Sequence, residues 1–401
     1  MATSPVRDNL FHLRGNLGES ALHLPERTIL VRRSVQIAKR SSLTGVTDTE
    51  AATEAATVIA RTDSSLGRIT LNRPRAINAL DLGMIEQITA ALRAWIDDTD
   101  VQTVLIDGAG ERGLCAGGDV RALYDSITSG HPEHIADFFR AEYAMNALIA
   151  EYPKPVVVFA DGITMGGGIG LAGHAAVRIV TERSRLAMPE TRIGFTPDVG
   201  GTWLLGRAPG RLGEYFGLTG QSMSAADALY LGFADHFVPS ENLDGLRDAL
   251  ATRADPSTPN ELTLLFDETP EPSALPAARE WIDQAFSADT VGEIMQRLRD
   301  SDAPDAASAL ATLEELAPTA LAVTLDAVRE ARGMSGVREA LEGEYRRVMW
   351  FGHNHPDLVE GIRAQLVDKD RDPKWQPATV AELPADAGAP ARNYVPEPPL
   401  F

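Results

Sequence analysis

At 401 residues the chain exceeds what one small core needs, and 44% hydrophobic with 23% charged residues is the balance of an ordinary globular protein. No apolar run approaches the roughly 18 residues that a membrane helix needs. A net charge of −20 argues against nucleic acid as a partner, because phosphate binding wants a basic field. The single cysteine, Cys115, excludes an internal disulfide and any multi-cysteine metal site, and fits a reducing compartment.

The first 43 residues hold seven Lys or Arg against three acids and no apolar signal core. Transit peptides avoid acids, so a poorly ordered extension is expected here ahead of a mitochondrial targeting signal. Low-complexity "TDTEAATEAAT" reads as a linker, which sets the first segment at residues 1–56. Lysine occurs only at Lys39, Lys154, Lys369 and Lys374, and this bias with abundant Ala fits a GC-rich bacterial genome and a cytoplasmic location.

"TVIARTDSSLGRITLNRP" has two β-branched runs around a Ser-Ser-Leu-Gly turn, the pattern of a hairpin. "DLGMIEQITAALRAWIDD" opens on an Asp cap and keeps apolar residues at helical spacing. "VQTVLIDGAG" is a buried strand running into glycines, followed by a helix after "CAGGD" and another from about Pro132 to Ala150. The strands "PVVVFADG" and "AVRIVT" flank the glycine-rich "TMGGGIGLAGH". This alternation predicts an α/β core over residues 57–255. Beyond it, "PAAREWIDQAF", "VGEIMQRLRD", "AASALATLEELA", "TALAVTLDAVREAR" and "VREALEGEYRRVMWFG" predict a helical region over 256–375. A Pro-, Ala- and Asp-rich tail, expected to be irregular, closes the chain over 376–401.

Gly168-x-Gly170-x-x-Gly173 is a formal match to a dinucleotide fingerprint, but "ADGITM" separates it from its strand and the later acid, Glu190, follows Met-Pro and does not end an apolar strand. Close backbone approach fits better: consecutive glycines at a helix start expose N–H groups that suit a developing oxyanion. Tight helix packing is the competing reading of the same run. "GAGERGLCAGGDVRAL" offers a second exposed turn near Gly117-Gly118, with Asp119 read as an N-cap and Cys115 as a packed thiol. "AMPETRIGFTPDVGGTW" sets Glu190 and Asp198 eight positions apart among apolar residues, where a buried acid needs a partner or a job.

"RPRAINAL", "GLCAGGDVRAL", "ITMGGGIGLAGH" and "MPETRIGFTPDVGGTWLL", in that order, resemble the enoyl-CoA hydratase/isomerase (crotonase) superfamily. The resemblance implies a spiral of ββα repeats binding an acyl-CoA thioester, whose carbonyl lies between the N–H groups of Gly118 and Gly167. It also implies CoA contacts from the backbone of Ile77, Asn78, Ala79 and Leu80 and from Ala116. No cofactor is expected, since CoA is part of the substrate, and no metal. The superfamily commonly forms trimers or dimers of trimers, so a homo-oligomer is left open.

The acids separate the members. A hydratase carries one glutamate shortly after the triple glycine and a second after Met-Pro; here the first position is Gly170 and only Glu190 remains. Asp198 stands where hydratases have glycine, and an N-cap for "VGGTWLLGR" is its plain reading. "FFRAEYAMN", which carries Glu142, and "HPDLVEGIRAQLVDKDRDPKW" resemble 3-hydroxyisobutyryl-CoA hydrolases. That resemblance implies thioester hydrolysis with Glu190 as general base or nucleophile. Asp198 then accepts a hydrogen bond from the 3-hydroxyl, and Glu142 belongs to the substrate site. The alternative is an enoyl-CoA hydratase or a dienoyl- or enoyl-CoA isomerase.

Overall fold

The computed structural model describes residues 56–131, 133–252 and 258–401. Eight strands alternate with helices: β1 (Val58–Asp63), β2 (Leu66–Leu71), β3 (Thr103–Gly108), β4 (Val156–Ala160), β5 (Ile163–Met165), β6 (Val177–Val180), β7 (Arg185–Ala187) and β8 (His236–Phe237). The main sheet runs β1-β2-β3-β4-β6-β8, with only the β1–β2 hairpin antiparallel, while β5 and β7 form a small parallel sheet of their own. The chain thus steps across the main sheet in one direction and visits the second sheet between steps. This is the expected α/β spiral.

Between the strands lie α1 (Leu82–Ile96), α2 (Val120–Thr128), α3 (Glu133–Ala150), α4 (Gly167–Ala172), α5 (Gly201–Arg207), α6 (Leu212–Thr219) and α7 (Ala225–Leu231). Asp81 caps α1 by accepting from the Met84 N–H at 2.9 Å, as the sequence predicts. The strands read as nearly continuous apolar runs because both sheet faces are covered. Val104, Ile106, Val156 and Val158 point into the larger core with α1 and α3, whereas the alternate Leu105, Val157 and Phe159 pack with Leu243, Leu246 and Leu250.

Those last three leucines belong to α8 (Leu243–Ala251). Further helices follow: α9 (Pro259–Thr263), α10 (Leu275–Phe286), α11 (Val291–Arg299), α12 (Ala306–Glu315), α13 (Pro318–Ala331), α14 (Val337–Asn354), α15 (Asp357–Ile362) and, in the tail, α16 (Ala389–Arg392). α15 runs directly into a π-helical turn, Arg363–Val367. No strand follows β8 among the described residues. The described residues belong to one compact unit, in which α13 lies on α5 and α6, α14 on α3 and α5, and α15 on α2. The extension and linker expected over 1–56 lie, apart from residue 56, outside the described residues, as does the boundary expected at 255.

Candidate active site

Two glycine turns meet where β3 and β5 deliver the chain to α2 and α4. The Ile77–Leu80 segment is zipped to the first turn: Ala116 N–H donates to the Ile77 carbonyl, Leu80 N–H to Gly117, and Asp119 N–H to Leu80, each at 2.8–2.9 Å. Ile77 and Asn78 hold φ of +49° and +54°, a left-handed pair fixed by the Asn78 side chain. Its amide donates to the carbonyls of Ala109, Gly113 and Leu114, and its oxygen accepts from Arg73 N–H. The Asn78 side chain is therefore a buried brace, and Ala79 gives its carbonyl to Arg73. Ala116 is exposed at the cavity mouth.

The N–H groups around the turns are taken: Gly117 by the Cys115 sulfur, Asp119 by Leu80, Gly166 by Ala187. Among the described residues, those of Gly118 and Gly167 donate to nothing. They face one spot. A Cβ placed on Gly167 falls 3.2 Å from the Gly118 nitrogen and 2.6 Å from Glu142 Oε1, so any side chain there would occupy the space both N–H groups serve. Two convergent free donors are what an oxyanion needs.

Three carboxylates surround that spot. Glu190 opens the 3-10 turn Glu190–Ile193 after β7, and its Oε1 lies 3.0 Å from the Cβ position of Gly166. Glu142 projects from α3, and Asp198 from the loop before α5. All three are buried, and among the described residues Glu142 Oε1 and Glu190 Oε2 have no hydrogen-bond partner. Burial, and then the Asp198 charge, hold the Glu142 and Glu190 carboxyls well above their ordinary range. Asp198 is pushed up to about 7 by burial, against a hydrogen bond from Tyr143 that favours its charged form. The Tyr143 hydroxyl donates to Asp198 Oδ2 at 2.8 Å.

Two cap expectations are corrected. Asp119 precedes α2 but its side chain caps nothing and instead accepts from Arg73 at 3.2 Å. Asp198 is not the cap of α5 either. That place is filled by Glu344 of α14, which accepts from Gly200 N–H at 2.6 Å, Thr202 N–H at 2.9 Å and the Thr202 hydroxyl at 2.5 Å. Relieved of capping, Asp198 is free to face the site. Cys115 is the packed thiol expected, buried and pushed up to about 12 by desolvation.

The cavity is small, about 190 Å³, and mostly apolar. Leu123, Phe138, Phe139, Ile193 and Phe195 wall it, and Leu366 closes it from the π-helical turn. A larger hollow of about 600 Å³ lies between α11, α13 and the tail, but its arginines Arg329 and Arg392 are already engaged, by Ala288 and Asp326 respectively. Glu142, Glu190, Asp198 and both glycine turns line the smaller one. The helical region also braces the turn that carries Glu190: a Cβ on Gly361 of α15 would fall against the Ile193 backbone, and one on Gly194 against that of Asp357. Such close approach is open only to glycine. Among the described residues no group of three His, Cys, Asp or Glu is arranged to hold a metal ion.

Sequence reasoning missed Tyr143, Asn146, Glu344 and Leu366. Asn146 could have been found, since at a spacing of four it shares a helix face with Glu142; Tyr143, one position on, does not share that face and carried no such signal. Nothing in the sequence ties Glu344 or Leu366 to a site more than 140 residues earlier.

A family model for enoyl-CoA hydratase/isomerase matches residues 66–389. The chain belongs to that family. A 3-hydroxyisobutyryl-CoA hydrolase, mitochondrial, of Xenopus laevis is 42% identical over 328 residues, which are 80% of this chain and 84% of the relative. The Homo sapiens protein of the same name is 39% identical over 325 residues, 79% of this chain and 83% of that one. Among solved structures, a carnitinyl-CoA dehydratase from Mycobacterium thermoresistibile has a TM-score of 0.81 and 44% identity, covering 86% of this chain and 99% of its own. An enoyl-CoA hydratase from Rhodobacter sphaeroides has 0.80 and 43%, covering 85% and 98%. The expectation of a bacterial cytoplasmic protein is overturned, because the curated relatives are named mitochondrial. The residues that raised the transit-peptide question, 1–43, lie outside those described. No helix among the described residues is long and apolar enough to cross a membrane.

Proposed function

We propose that this chain hydrolyses the thioester of 3-hydroxyisobutyryl-CoA, a step of valine degradation, releasing 3-hydroxyisobutyrate and CoA. The observation that carries this reading is the missing second acid. Hydration across a double bond uses two carboxylates, and the first belongs at Gly170. A Cβ there would meet the Asn146 amide nitrogen at 2.7 Å and the Val199 Cβ at 2.8 Å. The space is filled, so Glu190 works without that partner.

Hydrolysis asks for what remains. The thioester oxygen accepts from the N–H groups of Gly118 and Gly167, which stabilise the tetrahedral oxyanion; one such donor is typically worth about 2.7–4 kcal/mol of barrier. Glu190 removes a proton from water as the water oxygen attacks the carbonyl carbon, or itself attacks to give a mixed anhydride that water then opens. In the first route the C–S bond breaks and the CoA sulfur leaves with that proton; in the second it leaves as the thiolate and takes up the proton released when water opens the anhydride. Asp198, steadied by Tyr143, accepts from the 3-hydroxyl, so an acyl group lacking it leaves a buried acceptor unpaired. Glu142, which lines the same cavity, orients the hydroxyl or the water.

The names of the two solved relatives favour a second reading, addition or removal of water at an enoyl-CoA. One assay separates them. Purified protein is given 3-hydroxyisobutyryl-CoA, isobutyryl-CoA and methacrylyl-CoA, with free thiol and enoyl absorbance followed together and Glu190→Gln as control. Thiol release selective for the 3-hydroxy ester and lost in the variant is expected. Loss of enoyl absorbance from methacrylyl-CoA with no thiol would replace this reading by the second.

A further inference from the structure

We infer that Glu344, in the helical region and outside the cavity, is a positioning residue that aims Asp198 at the substrate hydroxyl by fixing the single peptide unit between Val199 and Gly200. The inference rests on the hydrolase reading for the identity of the substrate, but not for the geometry.

That peptide is held at both ends. Its carbonyl, Val199 O, accepts from His174 Nε2 at 2.8 Å; its N–H, on Gly200, donates to Glu344 Oε2 at 2.6 Å. Burial lowers His174 to about 4, so the ring is neutral and this nitrogen carries the hydrogen. Between the two anchors the backbone is strained. Val199 sits at φ +53°, a left-handed conformation costly for a β-branched residue, and Gly200 follows at +77°. Left alone, Val199 would relax to negative φ and swing Asp198, its neighbour, away from Tyr143.

The other bonds of Glu344 lock the same turn to α5, through Thr202 N–H and hydroxyl. A second tie from the helical region holds the preceding side, where the Thr324 hydroxyl of α13 donates to that of Thr196 at 3.1 Å. A carboxylate buried this completely would be a poor choice for stability alone, since desolvation must be overcome by its three hydrogen bonds. Burial pushes the Glu344 carboxyl up to about 8, against the hydrogen bonds from Thr202 and Gly200 that favour its charged form. Its use is local: when ionised both oxygens only accept, which is what two backbone N–H groups and a hydroxyl require. Gln cannot reproduce this, because its NH₂ would face one of the two backbone N–H groups.

The test reads selectivity, which a merely structural role would not move. Wild type, Glu344→Gln, and Glu344→Gln with Val199→Gly are compared on 3-hydroxyisobutyryl-CoA and isobutyryl-CoA by kcat/KM. The same pair is compared by Kd for the non-hydrolysable thioethers. Glu344→Gln should lower the preference for the hydroxylated ligand by about tenfold to a hundredfold, as expected for a polar group displaced by about 1 Å. Val199→Gly, which removes the strain, should restore part of it in the double variant. Thr202→Val, losing one bond of three, should shift the preference the same way by less and stands in if Glu344→Gln does not fold. An unchanged Kd ratio in the folded variants, or no preference in wild type, overturns the inference. Wild type that binds selectively but releases no thiol leaves the inference standing and removes the hydrolase reading.

Discussion

The carboxamide of Asn146 lies 2.7 Å from where a side chain on Gly170 would begin, and neither its nitrogen nor its oxygen has a partner among the described residues. Asn146 is one helical turn beyond Glu142, so α3 offers this family site an acid and an amide together. The position where a hydratase carries its first glutamate is thereby closed. Gly170→Ala should push Asn146 and Val199 apart at a cost of about 1–3 kcal/mol from overpacking. A lowered melting temperature is expected, with thiol release falling at least tenfold because Val199 adjoins Asp198. Adding Asn146→Ala should recover much of the stability. If Gly170→Ala alone melts and turns over as wild type does, the contact is softer than drawn here.

Much of this was legible in the sequence, for physical reasons that differ by element. The β-branched runs and their turn residues fixed the strands, because both faces of a parallel sheet select the same residue types. The glycine turns were legible because only glycine permits such backbone approach. Asp119 was misread as a cap, and of the two readings of Asp198 the cap fails while its place on the cavity wall is observed. An Asp before a helix is usually its cap, but here Arg73 takes the first and Glu344 displaces the second. That displacement depends on a contact made 146 residues away in the chain, which local patterns do not encode. The expectation for Asn78 concerned its backbone; that its side chain is spent on three carbonyls, bracing the turn, was not legible.

Glu190 must be ionised to act as base or nucleophile, and burial with the Asp198 charge holds its carboxyl well above the ordinary value of 4.5. A raised carboxyl keeps its proton to higher pH, so kcat/KM should climb as pH rises and collapse on mild acidification, where an exposed glutamate would still be charged. Asp198→Asn removes the second cause and should move the midpoint of the profile to lower pH. Stability should run the opposite way. With Asp198 at about 7 in the fold and an ordinary value of 3.8, its contribution is present in acid and lost as pH rises through 7. Melting temperatures and rate profiles that shift together in Asp198→Asn, or not at all, would contradict this.

Tyr143 is the donor that lets Asp198 carry charge inside the protein. Tyr143→Phe keeps the ring packing with Phe139 and Tyr345 but leaves a buried carboxylate without its hydroxyl. A buried acceptor left unpaired costs about 1–3 kcal/mol. The loss should appear as a lower denaturation midpoint above pH 7 and a smaller one in acid, where Asp198 is protonated. Equal losses at both pH values would mean that the hydroxyl matters for packing only.

Leu366 is the one cavity wall supplied from beyond α15, and it is 39% exposed on a π-helical turn. Partial exposure means that truncation uncovers little, so Leu366→Ala should cost less than the 2–5 kcal/mol of a fully buried leucine. Its effect should fall on the ligand. Removing the isobutyl group widens a cavity of about 190 Å³ on the side facing the acyl chain, so longer 3-hydroxyacyl esters should fit. Each methylene accommodated in an apolar pocket is worth about 10–200-fold in discrimination. The kcat/KM for 3-hydroxyhexanoyl-CoA relative to 3-hydroxyisobutyryl-CoA should therefore rise at least tenfold. Phe138 and Phe195, which remain, set the other walls and keep the hydroxyl facing Asp198, so the preference for 3-hydroxy over unsubstituted esters should survive. A chain-length preference unchanged from wild type would place Leu366 outside the acyl path and leave the helical region with the bracing role alone.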